Sequence, residues 1–251
     1  MTDTISRFSN RVENYVKYRP TYPRQVLELF ENEMGLMPGS VVADIGSGPG
    51  VSARNFLENG NIVYCVEPND AMREAAESLL KAFPGFRSIK GDAANTTLPD
   101  ASIDIITAAQ AFHWFDPDPT KREFKRIIKP GGYAALLWNL RQLDTTPFLG
   151  EYEKFILDNA NDYAAVRHDN ITEREISAFF DRGYEKAVFD NIQIFDFNGL
   201  KGRLFSSSYM PAEDSEHGER IKKELFELFT KHAEGGKIKV FYDTNVFYSK
   251  L

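Results

Sequence analysis

The sequence predicts an α/β fold in which helices cover both faces of a mainly parallel, doubly wound sheet. Short apolar runs of strand character alternate with segments of helical spacing across residues 41–139. Parallel neighbours need a long crossover connection, and the intervening segments here are helical, so the alternation favours a parallel sheet. The first of these strands runs into a glycine-rich loop, at the kind of strand-to-helix junction where such sheets bind ligands.

The predicted elements follow one another along the whole chain. A helix begins at Pro23, a residue suited to the first helical turn, and ends at Gly35. After the fifth strand, apolar residues at helical spacing and a capping box at 172–175 predict an inserted helical segment. The predicted strands are 41–45, 61–67, 86–94, 98–107, 133–139, 191–197 and the final pair 237–242 and 245–248, and the other predicted helices are 52–59, 69–80, 119–129, 148–156, 200–210 and 221–229.

The glycine-rich loop predicts a nucleotide-cofactor site. Gly46, Gly48 and Gly50 alternate with other residues after a buried strand, which lets the backbone turn sharply and approach a ligand. A dinucleotide fingerprint has the spacing GxGxxG, but this loop has GxGxG, with Val51 where the third glycine belongs. The spacing therefore favours S-adenosylmethionine over NAD or FAD, and the alternative is a glycine-rich turn without a ligand.

Two acidic residues follow the next strands. Glu67 ends the second strand about twenty residues after the first loop glycine, the interval at which a ribose finds its carboxylate. Asp92 ends the third strand, where its side chain and the backbone N–H of Ala93 can recognise an adenine. The alternatives are an ordinary acidic residue at a strand end for Glu67 and a turn residue for Asp92.

The fourth strand leads into a stretch of mixed aromatic and polar residues at 109–116. It includes Gln110, His113 and Trp114, at the edge of the sheet where ligands bind. His113 is a candidate general base, because an unperturbed imidazole titrates near neutral pH. The alternative is a packed histidine between Phe112 and Trp114 that only lines a wall.

An aromatic and basic segment precedes the first helix. Tyr15 and Tyr18 can present ring faces to a sulfonium, and Arg19 can pair with a carboxylate. The alternative is an amphipathic helix whose aromatic residues pack on the rest of the protein.

Composition limits the partners and the location that we expect. The chain has 30 basic and 37 acidic residues, a net charge of -7, and no basic segment that would follow a nucleic-acid backbone. It has one cysteine, Cys65, no basic leader followed by an apolar stretch, and no apolar run long enough to span a bilayer. We expect a cytoplasmic monomer or homodimer that binds neither nucleic acid nor membrane. Its four histidines lack the spacing of metal ligands, so no metal site is predicted.

With these residues in view, the sequence resembles the class I S-adenosylmethionine-dependent methyltransferases, in particular the type 11 group and relatives of trans-aconitate methyltransferase. The resemblance extends from about Tyr15 to the C terminus and is most specific at 44–50, 67–68, 91–93, 110–115 and 129–132. It implies a Rossmann-like sheet of seven strands with an antiparallel final hairpin. It also implies S-adenosylmethionine as cofactor and S-adenosylhomocysteine as product.

The same resemblance assigns the site residues. Asp44 and the glycine loop would hold the methionine portion, Glu67 the ribose, and Asp92 with Ala93 the adenine. The motif at 18–20 resembles a lid. The implied cofactor set is Tyr18, Arg19, Asp44, Gly46, Ser47, Gly48, Gly50, Glu67, Pro68, Met72, Asp92, Ala93, Gln110 and His113, and the candidate acceptor residues are Tyr15, Arg19, His113, Trp114, Trp138, Arg141 and Tyr209.

We expect one methyltransferase domain with a single hydrophobic core. Its predicted segments are 1–35, an N-terminal lid and first helix; 36–139, the cofactor-binding core; 140–187, a helical insertion; and 188–251, the strands and helix that complete the sheet. The insertion either shapes an acceptor pocket or only extends the core.

The leading hypothesis is therefore methyl transfer from S-adenosylmethionine to a small molecule, with carboxylates among the candidate acceptors. If the acceptor is a carboxylate, no proton need leave it, and Arg19 or Arg141 can supply the opposite charge. Two alternatives stay open: a nicotinamide-dependent oxidoreductase on a similar sheet, which the loop spacing disfavours, and a non-catalytic module that senses the cofactor.

Overall fold

A seven-stranded mixed sheet forms the centre of the computed structural model, which describes residues 12–161, 163, 172–181 and 183–251. The strand order is β3-β2-β1-β4-β5-β7-β6, with the last strand antiparallel, as the sequence predicts. The strands are β1 Val41–Ile45, β2 Ile62–Val66, β3 Phe86–Ile89, β4 Ile103–Ala109, β5 Ile128–Arg141, β6 Glu185–Phe195 and β7 Ile238–Lys250.

Helices connect these strands. Pro23 precedes α2, and Gly35 ends it in the left-handed conformation with φ 68°. Asn69 caps α4, and Thr172 and Glu175 form the predicted capping box at the start of α7. The described helices are α1 Val12–Tyr18, α2 Arg24–Met34, α3 Ala53–Glu58, α4 Asp70–Leu80, α5 Pro117–Ile127, α6 Pro147–Asn159, α7 Glu173–Phe179, α8 Phe197–Phe205 and α9 Glu216–His232, with a 3₁₀ turn at Phe112–Trp114.

Strand β1 lies between β2 and β4 and is parallel to both. Asp44 is in register with Cys65 on β2 and with Thr107 on β4. Four of its five residues are buried, which agrees with the continuous apolar run. Because parallel strands end at the same edge, the segments after β1, β2 and β4 all begin at the carboxyl edge of the sheet.

Several predicted boundaries are wrong: β6 spans Glu185–Phe195 where 191–197 is predicted, and α8 spans Phe197–Phe205 where 200–210 is predicted. The helix expected at 119–129 spans Pro117–Ile127, and β5 already begins at Ile128. Pro130 explains the early end, because a proline disfavours helical geometry at the residue before it. The two C-terminal runs form one continuous strand, Ile238–Lys250.

The described chain divides into two compact units, each with its own buried apolar cluster. The larger unit contains 21–139, 172–189 without Arg182, and 244–251, and its cluster includes Phe30, Val42 and Val246. The smaller unit contains 12–20, 140–163 without Asp162, and 190–243, and its cluster includes Tyr152, Leu200 and Ile221. The expectation of a single core is therefore corrected, while the segment boundaries proposed for the domain stay a prediction.

No helix in the described ranges is both long enough and apolar enough to cross a membrane.

Candidate functional site

The glycine loop follows β1 in the larger unit and is fixed to the end of β2. The N–H groups of Gly46 and Ser47 donate to the carbonyl oxygen of Val66 at 2.8 and 3.2 Å. Gly46 has φ +66°, and a Cβ at this position would lie 2.8 Å from the Cβ of Ala111. Glycine is thus required here both for the backbone conformation and for close packing against the segment after β4.

Asp44 is completely buried below the loop. The Ser52 hydroxyl donates to its Oδ2 at 2.5 Å, and the Thr107 hydroxyl donates to its Oδ1 at 2.9 Å. Burial raises the pKa of Asp44 to about 6, although both hydroxyl donors favour the ionised form. The structure places this carboxylate where it supports the loop from beneath, without exposed surface toward a ligand.

Glu67 connects the end of β2 to the loop. Its Oε2 accepts a hydrogen bond from the Gly48 N–H and its Oε1 accepts one from the Asn69 N–H, both at 2.8 Å. Burial raises the pKa of Glu67, while the two N–H donors act in the opposite direction. A carboxylate oxygen has a second lone pair, so each oxygen can still accept from a ligand hydroxyl. The next residues predicted for the site lie alongside: Pro68 is partly exposed and Met72 is buried in α4.

Asp92 forms a turn after β3. Its Oδ1 accepts hydrogen bonds from the N–H groups of Ala94 and Asn95 at 2.8 and 2.9 Å. The side chain is exposed, while Ala93 beside it is buried. The turn role that the sequence left as an alternative is therefore present, and an additional contact with adenine stays a prediction.

Gln110 has two unusual features. Its backbone is in the left-handed region with φ 56°, which is rare for a residue other than glycine and is often found at functional sites. Its N–H donates to Leu137 O at 2.8 Å, and its Nε2 donates to Asn139 O at 3.2 Å. Its Oε1 is buried and has no hydrogen-bond partner among the described residues. A buried acceptor without a donor is costly, which indicates a ligand donor at this position.

His113 and Trp114 lie in the 3₁₀ turn after Gln110. Their ring centroids are 4.7 Å apart, and both side chains are partly exposed. Both are therefore accessible at the edge of the sheet. Trp138 differs, because it is only 3% exposed and makes edge-on contacts with Phe112 and Phe247. The structure places the Trp138 ring in the core, while its Nε1 is buried without a hydrogen-bond partner among the described residues, and its contact with an acceptor stays a prediction.

The remaining predicted residues belong to the smaller unit. Tyr18 packs against α8 at Gly202, where a Cβ would lie 2.0 Å from the ring. The Arg19 guanidinium lies 4.9 Å from the centroid of the Tyr15 ring. Tyr209 is partly exposed and stacks at an angle against Tyr163, with 4.7 Å between centroids.

Arg141 is already paired. Its Nη2 donates to Glu153 Oε2, and its guanidinium lies 5.1 Å from the Tyr152 ring centroid. Burial acts to lower the pKa of Arg141, but the phenols of Tyr163 and Tyr152 and the Glu153 carboxylate together raise it. The charge of Arg141 is thus largely neutralised within the protein, which weakens its case as the counter-charge for an acceptor.

Sequence reasoning missed three residues near these positions. Ser52 and Thr107 hold Asp44, and Arg203 on α8 lies near Arg19. The register of β4 against β1 is the signal that would have found Thr107. No sequence pattern distinguishes Arg203, because it lies in an ordinary amphipathic helix. The described residues contain no group of three acidic, histidine or cysteine side chains that could hold a metal ion.

Known proteins are similar to this chain in the sequence of its central segment and in its fold. Residues 43–136 match a family model described as a methyltransferase domain. A methyltransferase-like protein of Schizosaccharomyces pombe is 25% identical over 253 residues, which cover 98% of this chain and 96% of the relative.

Two solved structures extend the comparison to the fold. A protein from Anaeromyxobacter dehalogenans, assigned as a type II methyltransferase, superposes with a TM-score of 0.69 and 20% identity, covering 93% of this chain and 98% of the other. A SAM-dependent methyltransferase from Geobacter sulfurreducens, solved with S-adenosyl-L-homocysteine, gives a TM-score of 0.53 and 17% identity over 98% of this chain and 96% of the other. A special relationship to trans-aconitate methyltransferases stays a prediction. The domain match and the relative aligned over nearly the whole chain show that this chain is similar to methyltransferases, and it shares the fold of solved S-adenosylmethionine-dependent methyltransferases.

Proposed function

We propose that the protein transfers a methyl group to a small-molecule acceptor and binds S-adenosylmethionine at the carboxyl ends of β1, β2 and β4. The observation that carries the site assignment is Gln110, whose strained backbone holds a buried Oε1 that has no hydrogen-bond partner among the described residues. An ammonium group is a suitable donor for this oxygen, and the methionine portion of the cofactor carries one.

The other residues of this edge fit the same ligand. The Glu67 carboxylate can accept from two ribose hydroxyls without losing its bonds to the loop. Asp92 and the Ala93 N–H lie at the end of the neighbouring strand β3, where an adenine would follow the ribose. Met72 is an apolar residue at the same edge. Asp44 supports this site from below and fixes the loop through Ser52.

The cofactor supplies an electrophilic methyl group on a sulfonium, and the protein's task is to align the acceptor with it. Such positioning is worth roughly 7 to 11 kcal/mol of the barrier. His113 is partly exposed at the sheet edge and is the residue placed to take a proton from a hydroxyl or amine acceptor. For a carboxylate acceptor no proton has to leave, and His113 would then only orient it.

Binding measurements test the cofactor site. We expect Gln110→Ala and Glu67→Gln each to weaken S-adenosylhomocysteine binding at least about tenfold, since a lost hydrogen bond to a charged group is worth about 1.5–3 kcal/mol. Gln25→Ala is the matched control, because Gln25 is exposed on α2. Isothermal titration calorimetry gives the affinities. Unchanged affinity in both site variants would contradict the assignment.

The same titrations separate the alternatives. A nicotinamide oxidoreductase would bind NADH in place of S-adenosylhomocysteine. A sensing module would bind the cofactor but transfer no labelled methyl group to any member of a panel of carboxylate, hydroxyl and amine acceptors. Neither alternative has a supporting observation in the described structure.

A further inference from the structure

Two arginines of the smaller unit, Arg19 and Arg203, lie near each other without a carboxylate partner among the residues that the structure describes. Within the described ranges, neither guanidinium forms an ion pair with an acidic side chain. Their positive charges are close enough to repel, and this repulsion is among the causes that lower the pKa of Arg19, second to burial. Like charges held together inside a protein cost free energy unless a negative group joins them. A role in stabilising the fold therefore does not explain why the two arginines lie together.

The two side chains are held in place by neutral groups. Arg19 donates from Nη2 to the carbonyl oxygen of Ser206 at 3.1 Å and rests on the Tyr15 ring. Arg203 donates from Nε to the Tyr242 hydroxyl at 3.2 Å and from Nη1 to the Ser207 hydroxyl at 3.1 Å. These contacts orient both guanidiniums but do not neutralise the positive charge of either one.

Most of their hydrogen-bonding capacity has no partner among the described residues. A guanidinium has five N–H donors. One of them in Arg19 and two in Arg203 form hydrogen bonds with described residues, and the Arg19 Nε is buried with no such partner. An unsatisfied buried donor calls for an acceptor, and the described residues provide none for the Arg19 Nε.

The surroundings have the character of a recess. Protein atoms desolvate both guanidiniums, yet both residues remain partly accessible to solvent. Tyr209 and Tyr242 lie close to both arginines, so aromatic walls border the charges. A small ligand can therefore reach the pair, while a flat surface partner could not cover it as closely.

Arg141 lies in the same unit and, unlike Arg19 and Arg203, forms an ion pair with a carboxylate. Arg141 has Glu153 as its carboxylate partner and Tyr163 as a further neighbour. Among the described residues, Arg19 and Arg203 have hydroxyl and carbonyl partners only. They are thus the two described arginines of this unit without a carboxylate partner, since Arg220 pairs with Glu224, in a chain whose net charge is -7.

We infer that Arg19 and Arg203 together bind a doubly negative oxyanion, either a pair of carboxylates or a phosphate monoester. Two guanidinium forks match two carboxylates or the several oxygens of a phosphate, and such contacts are charge-assisted and directional. This anion site lies within the smaller unit. The anion site itself requires only the two arginines.

The experiment measures the binding of simple anions to the whole protein. Succinate and inorganic phosphate are the doubly charged probes, and acetate and chloride are the singly charged comparisons, all titrated calorimetrically at one ionic strength of about 0.15 M. The variants are Arg19→Gln and Arg203→Gln. Lys201→Gln is the matched control, because it removes one positive charge from the same helix, at a lysine that pairs with Glu213.

The wild type should bind succinate or phosphate at least tenfold more tightly than acetate, and each arginine variant should lose at least tenfold in that affinity. Lys201→Gln should change it less than twofold. A preference for succinate would identify a dicarboxylate, and a preference for phosphate a phosphate monoester. Absence of binding to the wild type, equal affinity for all four anions, or arginine variants that bind like the wild type would each overturn the inference.

Two further readouts keep the inference separate from folding and from the cofactor. If the arginines only stabilise the fold, replacing either one should lower the melting temperature. If they form an anion site, removing one of two repelling charges should leave the melting temperature unchanged or raise it. S-adenosylhomocysteine titrations of Arg203→Gln, which lies outside the residues assigned to the cofactor, should match the wild type. If the wild type binds anions but not S-adenosylhomocysteine, the proposed function fails and the anion site stands.

Discussion

At the residue scale, Asp44 links the site to the pH dependence of stability. Its pKa is about 6 in the folded protein, against 3.8 for an unperturbed aspartate. The folded state therefore holds the proton more tightly than the unfolded state, so the free energy of unfolding falls as the pH rises from about 4 to about 6. The shift corresponds to about 3 kcal/mol, which is present at low pH and lost above pH 6.

We expect Asp44→Asn to remove this component. The amide stays neutral at every pH, and the hydroxyls of Ser52 and Thr107 can each donate or accept, so the local hydrogen bonds can be kept. Urea unfolding of both proteins between pH 4 and pH 7 measures the difference. Below about pH 4 residue 44 is neutral in both the wild type and the variant, so a comparison of their stabilities there serves as the internal control. Parallel stability curves for the two proteins would contradict this reading of Asp44.

Local sequence patterns reveal some of these residues and not others. The glycine loop, Glu67 and Gln110 follow strands that can be recognised from the sequence. The contact of Thr107 with Asp44 spans 63 residues and depends on the pairing of β4 with β1. Such a contact cannot be predicted from either segment alone. The same reasoning explains why Arg203 was not predicted, since its importance depends on the position of Arg19.

At the scale of elements, the short helix α7 depends on its aromatic end. Phe179 is 1% exposed and makes edge-on contacts with Phe112, Phe124 and Phe180 at centroid distances of 4.7, 5.6 and 5.3 Å. A helix of seven residues has little intrinsic stability, so this packing must hold it. Phe112 precedes His113, which ties the same cluster to the candidate site.

We expect Phe179→Ala to lower the free energy of unfolding by about 3–5 kcal/mol, because the truncation leaves a cavity among three rings. Phe226→Ala is the control, since Phe226 is 52% exposed on α9, and its cost should stay below about 1 kcal/mol. Urea denaturation followed by circular dichroism compares the two. A Phe179 variant that is as stable as the control would show that α7 is held in another way.

Most elements could be predicted because their periodicity is strong, but the last strand could not. Asp243 and Thr244 interrupt the apolar alternation and suggest a break between two strands. In the structure, Gln142 Nε2 donates to Asp243 Oδ1 at 2.7 Å, and the Thr244 hydroxyl donates to Asn139 Oδ1 at 2.5 Å. These polar residues have partners about a hundred residues away, so the strand continues through them.

At the scale of the whole molecule, the two apolar clusters were the least predictable feature. The smaller unit's cluster combines residues of α6, α8 and α9 with residues of β6 and β7. Helical spacing shows which face of each helix is apolar, but it does not show what that face packs against. The composition most simply predicts a single core. Only the long-range contacts in the structure show that the apolar residues form two separate clusters.

The net charge and the recessed arginine pair together give a prediction about partners. A duplex-binding protein that contacts 6–10 phosphates loses about 10³–10⁵ in affinity between 50 and 200 mM salt. This chain has a net charge of -7, and Arg19 and Arg203 are surrounded by protein atoms. A duplex phosphate backbone would be repelled by the acidic surface and could not enter the recess, whereas a free dianion can.

We therefore expect a duplex of about 20 base pairs not to displace bound succinate or phosphate, even at about 50 mM salt, where any attraction to a basic surface is strong. Competition calorimetry measures this, with free phosphate at the same total phosphate concentration as the control that must displace succinate. Displacement by the duplex, weakening steeply as salt is added, would mean that an accessible basic surface, and not the recessed pair, holds the anion.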